Sequence, residues 1–196
     1  MRKLMFVIFL IACGGLPCDA QTSGDQKNEF FAGYSYQNAD INTLTIDPRR
    51  TSQNGVNLEY TRNLTKNLGI TGDVSAHFHR DSSSISGGTF TRKRDQYFLL
   101  GGLQYKAHND SRLQPFAHAL FGVSLFRGFT SNISASGNVF TIDDATSFGM
   151  ALGGGLDIRA GKRIDVRLFQ ADYSPTHFGS GWQSNIRLSF GIIFKR

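Results

Sequence analysis

From Asn185 to Lys195 the chain reads N-I-R-L-S-F-G-I-I-F-K, with Ile186, Leu188, Phe190, Ile192 and Phe194 on every second position and polar or small residues between most of them. A period of two puts the first set on one face of a β-strand and Asn185, Arg187, Ser189, Gly191 and Lys195 on the other. The same alternation recurs along the chain. It predicts eight strands: Glu29 to Gln37, Gln53 to Thr61, Leu68 to His79, Arg94 to Lys106, Leu113 to Arg127, Ser147 to Arg159, Ile164 to Ser174 and Asn185 to Lys195. In the sixth, Gly149, Ala151, Gly153 and Gly155 occupy the polar parity, leaving room for long side chains from an opposite wall. In the seventh, parity slips between Arg167 and Gln170, which predicts a β-bulge near Leu168-Phe169.

The connections alternate in length. Residues 38–52, 80–93 and 128–146 read as long polar loops, 63–67, 108–112 and 160–163 as short turns, and 175–181 as a Gly/Pro-bearing connection. An even number of strands, long loops at one end and short turns at the other describe an all-β, eight-stranded antiparallel up-and-down transmembrane β-barrel, whose short turns and termini face the periplasm. Closure suits a bilayer, which tolerates no unpaired sheet edge. A soluble lipocalin-like barrel has the same period with its faces exchanged. The charges choose between them: the polar face holds Glu59, Asp73, Gln104, Lys106, Asp157, Asp165, Arg167, Asp172 and Arg187, while the apolar face is nearly uncharged. Arg or Lys facing lipid at the bilayer midplane costs roughly 2–4 kcal/mol, so the uncharged face is the lipid-facing one. Glu59, Asp73, Asp157, Asp165, Arg167, Asp172 and Arg187 are therefore expected to form a charge network in the lumen. In it Arg167 and Arg187, on neighbouring strands, meet Asp165, Asp172, Asp157 or Glu59. Tyr36, Tyr60, Tyr97, Tyr105 and Tyr173, near strand ends, read as interfacial girdles.

The N-terminus adds an address. Met1-Arg2-Lys3, the apolar Leu4 to Ala12 and Cys18-Asp19-Ala20 have the order of a secretory signal peptide over residues 1–20, too short to span a bilayer, where about 20 apolar residues are needed. Leu10-Ile11-Ala12-Cys13 also resembles a bacterial lipoprotein box, an alternative that would place a lipid on Cys13. Either way the region after residue 20 has no cysteine, which excludes disulfides and thiol chemistry there. Residues 21–28 read as a flexible lead-in and 29–196 as the barrel, with no second domain expected. The formal charge of +6 falls to +5 without the signal, a modest excess that suits anionic headgroups or simple solubility; no nucleic-acid partner is expected.

Arg49, Arg50, Arg80, Arg92, Lys93, Arg94 and Arg127 gather on the long-loop side. Of these, Arg80, Arg92, Lys93, Arg94 and Arg127 are the candidates for contact with outer-membrane lipid headgroups, including the phosphates of lipopolysaccharide; solvated loop charge is the plainer account. His77 and His79 share a strand face, but no third ligand accompanies them, so they read as mouth-lining residues, and neither a metal nor a cofactor is expected. His177 with Ser180 has no recognised catalytic spacing, and Gly161-Lys162-Arg163 lacks the rest of a phosphate loop. Asn63-Leu64-Thr65 and Asn132-Ile133-Ser134 match glycosylation sequons at chance frequency.

Gly33-Tyr34-Ser35-Tyr36, Asp172-Tyr173 and Arg187-Leu188-Ser189-Phe190-Gly191 before a closing Phe194 resemble the small outer-membrane barrels related to the outer membrane protein A transmembrane domain and outer membrane protein X. The resemblance covers Glu29 to the end through short motifs. It implies a bacterial outer-membrane location, assembly by the barrel-insertion machinery and at most a narrow ion leak. That group usually ends in an aromatic residue read by the machinery, whereas this chain ends Phe194-Lys195-Arg196; either Phe194 takes that role or the signal is weak. The function expected is a non-enzymatic envelope anchor presenting four exterior loops. A lipid A-modifying enzyme and a soluble periplasmic carrier are the alternatives.

Overall fold

The computed structural model describes residues 27–40, 50–85, 88–108, 111–134, 139–141, 144–178 and 181–196. The segment expected to be a signal peptide, with Cys13, most of the expected lead-in, Arg49 and Ser180 lie outside the described residues, as do the side chains of Arg92 and of the sequon at Asn132. The strands are β1 Asn28–Asp40, β2 Arg50–Asn63, β3 Leu68–Ile85, β4 Gly88–Lys106, β5 Leu113–Ser134, β6 Val139–Thr141, β7 Ala145–Arg159, β8 Ile164–Tyr173, β9 Thr176–Phe178, β10 Gly181–Gln183 and β11 Ile186–Lys195. The eight long strands pair antiparallel in chain order, β5 joining directly to β7 and β8 to β11, while the three-residue β6 pairs with β5 and β9 with β10. β1 then pairs with β11 from Glu29↔Lys195 to Asn38↔Ile186, so the eight long strands close into a ring. Closure satisfies the backbone N–H and C=O groups that hydrocarbon could not.

The apolar face points outward. Val74, Leu188 and Phe190 are 51, 45 and 54% exposed, and the other alternating aliphatics of the wall are similarly open to the lipid. Tyrosines mark both rims with their hydroxyls engaged: Tyr60 donates to Asn28 and Tyr105 accepts from Asn67 at the short-turn end, while Tyr36 meets Ser52 and Tyr173 meets Ser184 at the other. Amphipathic rings of this kind sit at the headgroup level. The bulge falls where parity slipped. Ser189 faces Gln170 and Gly191 faces Arg167, so Leu168 and Phe169 together oppose Phe190, and both are exposed. The extra residue lets Arg167 and Gln170, three apart, both turn inward.

Two expectations are corrected. Residues 80–93 are not a loop: β3 and β4 stay paired from Arg80↔Lys93 to Ile85↔Gly88, and β5 follows β4 as far as Ser134↔Gly88. Beyond the bilayer both faces of a strand meet water, so a ladder can continue with no apolar alternation to announce it. β2 pairs with β3 only up to Asn54↔Phe78, so the β3–β5 wall runs beyond that pairing. The 175–181 connection likewise contains the first strand of the β9–β10 hairpin, and β9 pairs with β7.

The second correction concerns the interior. The axis is not purely polar: Phe31, Phe98, Leu100, Phe116, Leu120 and Phe126 lie buried in it, and Phe98, Leu100, Leu120 and Ala151 pack as one cluster. An eight-stranded barrel is just wide enough for side chains to fill, and rings fill it where the facing wall is glycine. A Cβ on Gly33 would lie 2.5 Å from the Phe31 ring and 2.3 Å from the Phe190 carbonyl oxygen. On Gly155 it would lie 2.9 Å from the Phe116 ring and 2.1 Å from the Phe169 oxygen. Gly155→Val is therefore expected to destabilise the barrel by about 1–3 kcal/mol through overpacking, measurable as a lower urea midpoint in detergent micelles, whereas Gly161→Ala, in open space, leaves it unchanged.

Candidate functional site

Near the short-turn end Lys106 bonds Glu29, and its Nζ also reaches Asp157 Oδ2 at 2.9 Å. Arg167 takes the other oxygen of Asp157, Nε to Oδ1 at 2.9 Å, and donates from Nη1 to Glu59 Oε2 at 2.7 Å and Gln170 Oε1 at 2.5 Å. Gln170 Nε2 donates onward to Glu59 Oε1 and Asp172 Oδ2, both at 2.8 Å. Arg187 ends the run. Its Nε and Nη2 donate to Asp172 Oδ2 at 2.9 and 2.8 Å, its Nη1 to Asp73 Oδ1 at 3.0 Å and Ser75 Oγ at 2.9 Å. His118 Nε2 lies 2.8 Å from Asp172 Oδ1. A single hydrogen-bonded chain thus runs along the axis from Glu29 to Ser75, with both guanidinium groups 2% exposed or less.

Arg167 is also held by faces. Its guanidinium carbon sits 4.3 Å from the Phe31 ring centroid and 4.1 Å from that of Phe116, so the cation is stacked between two rings. Such contacts are worth about 2 kcal/mol or more when desolvated. Arg suits both contacts because its planar fork hydrogen-bonds at the edge while stacking through its face.

Of the expected network, Glu59, Asp73, Asp157, Arg167, Asp172 and Arg187 are brought together, whereas Asp165 is not. It lies nearer the short-turn end and bonds Lys195 Nζ at 2.6 Å instead of an arginine. Glu29, Lys106, His118 and Gln170 were not singled out for it. Their inward parity was the available signal, since a carboxamide or imidazole on that face must find a buried partner. Above Arg187 come neutral hydrogen-bonded pairs, with Ser35 meeting His77 Nε2 at 2.9 Å and Gln37 donating to Gln96, which donates to Ser124, before the inward Arg94. His79 Nδ1 instead lies 2.8 Å from the Ser52 carbonyl oxygen. Among the described residues no group of three His, Cys, Asp or Glu side chains is arranged to hold a metal ion.

On the outer wall at the long-loop end, Arg80 and Lys93 face each other across the β3–β4 ladder, with Phe78 and Asp95 as the next outward pair. With His79 they line a cleft of about 500 Å³. Arg127 is paired with Asp95 in register and lies over the Tyr97 ring, 6.0 Å from its centroid. Arg94 departs from the headgroup expectation. Its parity is inward, it is 7% exposed, and its Nη1 donates to Thr51 Oγ1 at 2.7 Å.

A closed ring of eight strands with lipid on its outside and a filled axis is the architecture of an outer-membrane barrel, and residues 8–194 match the model of the outer membrane protein beta-barrel domain. The chain belongs to that family. It is thus a β-barrel protein of the Gram-negative outer membrane. Among solved structures it is similar to Ail, the attachment invasion locus protein of Yersinia pestis, in complex with the heparin analogue sucrose octasulfate, with a TM-score of 0.58 and 15% identity over 85% of this chain and 97% of that one. Neisserial surface protein A has a TM-score of 0.55 and 15% identity over 89% of this chain and 100% of the other. At such identities the likeness concerns the fold. No curated protein matches.

Arg187→Met removes a partner shared by Asp73 and Asp172 and leaves buried charge uncompensated. A loss of roughly 3–5 kcal/mol is expected in detergent unfolding, with part of it recovered when Asp172→Asn is added, as a double-mutant cycle would show.

Proposed function

We propose that this family member is a non-enzymatic anchor that holds the raised β3–β5 wall on the cell surface and contacts lipopolysaccharide through the outward cations at its base. The filled axis carries the first half of this reading. Hydrogen-bonded ion pairs, the Phe31–Arg167–Phe116 stack and the Phe98 cluster occupy the lumen, so solutes have no wide path and the exterior surfaces are left to do the work. The second half rests on placement. Arg80, Lys93 and Arg127 stand just beyond the aromatic pair Phe78 and Tyr97, whose rings meet edge to face with centroids 6.0 Å apart. Rings at that height mark the edge of the hydrocarbon, and cations immediately beyond it face lipid phosphates. Phe194, 53% exposed on the lipid side, is the residue we assign to recognition by the insertion machinery.

Each Lys or Arg near an anionic surface contributes about 1 kcal/mol, so Arg80→Glu, Lys93→Glu and Arg127→Glu together are expected to weaken lipopolysaccharide retention by about a hundredfold or more in nanodisc binding measurements. Retention at the original level would remove the lipopolysaccharide contact from the proposal. Lipid A acyl chains are expected to be identical in cells with and without the protein; an added or missing chain would point to a lipid-modifying enzyme instead.

A further inference from the structure

At the short-turn end the lipid-facing wall carries two rows of side chains that cross the seam where the barrel closes. Phe194 of β11, Phe30 of β1 and Tyr60 of β2 stand side by side in the ladder, and the Phe30 and Tyr60 ring centroids lie 5.2 Å apart. All three rings are exposed, so lipid covers them. The next outward positions toward the end of the barrel form a polar row. Asn28 is paired with Arg62 across β1 and β2, and on its other side it exchanges both backbone hydrogen bonds with Arg196, each at 2.9 Å. Period-two alternation turns Arg62 outward with Tyr60 and Arg196 outward with Phe194, and both arginines are exposed.

The polar row is arranged to donate. Asn28 Oδ1 accepts from the Tyr60 hydroxyl at 2.9 Å, which directs the Nδ2 hydrogens of the same amide to an outside acceptor. Glu29 and Glu59, the acids nearest in sequence, sit on the opposite parity and are engaged in the lumen by Lys106 and Arg167. Neighbouring strands are about 4.8 Å apart, so the Arg62 and Arg196 backbones lie on the order of 10 Å from each other with Asn28 between them, and their long side chains can converge on one group above it. Lys66, Arg112 and Arg163 at this end sit in turns, whereas the ladder holds Arg62 and Arg196 beside rings at the hydrocarbon edge. Guanidinium forks and an amide suit a phosphate oxyanion. Bilayer is what covers this wall, so the phosphate that reaches the row is one already tethered at that depth. A zwitterionic headgroup would bring its own ammonium against two guanidiniums; a headgroup whose only charge is the phosphodiester does not.

We infer that Arg62, Asn28 and Arg196 form a site for the phosphodiester of an anionic phospholipid, of the phosphatidylglycerol type, in the leaflet at the short-turn side. The phosphate accepts from the two guanidiniums and the amide, and the glycerol ester region lies on Phe30, Tyr60 and Phe194. The bound lipid bridges β2, β1 and β11, tying the seam between the first and last long strands from outside. The site is independent of the lipopolysaccharide contact, which uses cations of β3–β5 at the opposite end.

The test is native mass spectrometry of the refolded protein in detergent, titrated with phosphatidylglycerol and with phosphatidylcholine of the same acyl chains. Wild-type protein is expected to retain phosphatidylglycerol preferentially. Arg62→Gln is expected to lower that retention about fivefold, and Arg62→Gln with Arg196→Gln about twentyfold or more, while the barrel keeps its heat-modifiable electrophoretic mobility. Arg112→Gln, in a turn at the same end, and Arg80→Gln with Lys93→Gln at the far end are expected to leave it unchanged, so this site and the lipopolysaccharide contact fail separately. Inorganic phosphate at the concentration of the lipid is expected not to displace it. Equal retention of the two lipids by wild-type protein, undiminished retention by Arg62→Gln, an equal loss with Arg112→Gln, or displacement by inorganic phosphate would each overturn the inference.

Discussion

Two guanidinium groups that water does not reach govern the interior of this barrel. A buried Arg is tolerable only where carboxylates and hydrogen-bond acceptors surround it, and desolvation makes a half-completed set worse than none. Arg167 and Arg187 meet this condition by sharing partners: Asp172 serves Arg187 while accepting from Gln170, and Gln170 in turn accepts from Arg167. The acids come from β2, β3, β7 and β8, so the network ties walls that the backbone ladder joins only through intermediate strands. The ladder closes the ring, and the ion pairs hold its opposite sides at a fixed spacing.

The rest of the packing follows from placing Arg167. Its charge needs Glu59 and Asp157, while its flat faces need something apolar that does not compete for its donors; Phe31 and Phe116 provide this from opposite sides. Both rings fit because Gly33 and Gly155 leave the space, and Arg167 points inward together with Gln170 because Leu168-Phe169 bulges outward. The bulge, the glycines and the stacked rings thus serve one buried cation, and the geometry would be hard to keep if any of them changed separately.

This explains which parts were legible in the sequence. Period-two alternation located all eight barrel strands, because lipid on one side makes the outward face uniformly apolar, and the broken parity of 167–170 disclosed the bulge. It could not disclose Phe31, Phe98 or Phe116 as lumen residues, since an apolar residue on the polar parity looks like noise until the facing glycines are known. The outer reach of β3, β4 and β5 was equally silent: above the membrane no solvent contrast imposes a pattern, and the ladder continues on backbone bonds alone. Parity did carry the information that Arg94 turns inward, but grouping it with its neighbours Arg92 and Lys93 by charge obscured it. Asp165 and Lys195 both stood on the inward face, yet only the β8–β11 register brings them within reach of each other.

A filled axis has a consequence for where recognition can take place. When the lumen is committed to internal partners, its charges are screened by one another and present little field outside, so specificity has to reside at the two ends. These ends differ in construction. The surface end is a raised sheet in which Arg80 and Lys93 stand near Asp81 and Asp95, and its character depends on which face of each strand a cation occupies. The short-turn end is built from tight turns, where Lys66, Arg112, Lys162 and Arg163 are exposed. Charge on a sheet face is ordered by register and can discriminate between ligands by geometry, whereas charge on a ring of short turns acts mainly by its sum. The fold thus equips the same barrel with a patterned surface outward and a diffuse cationic one inward.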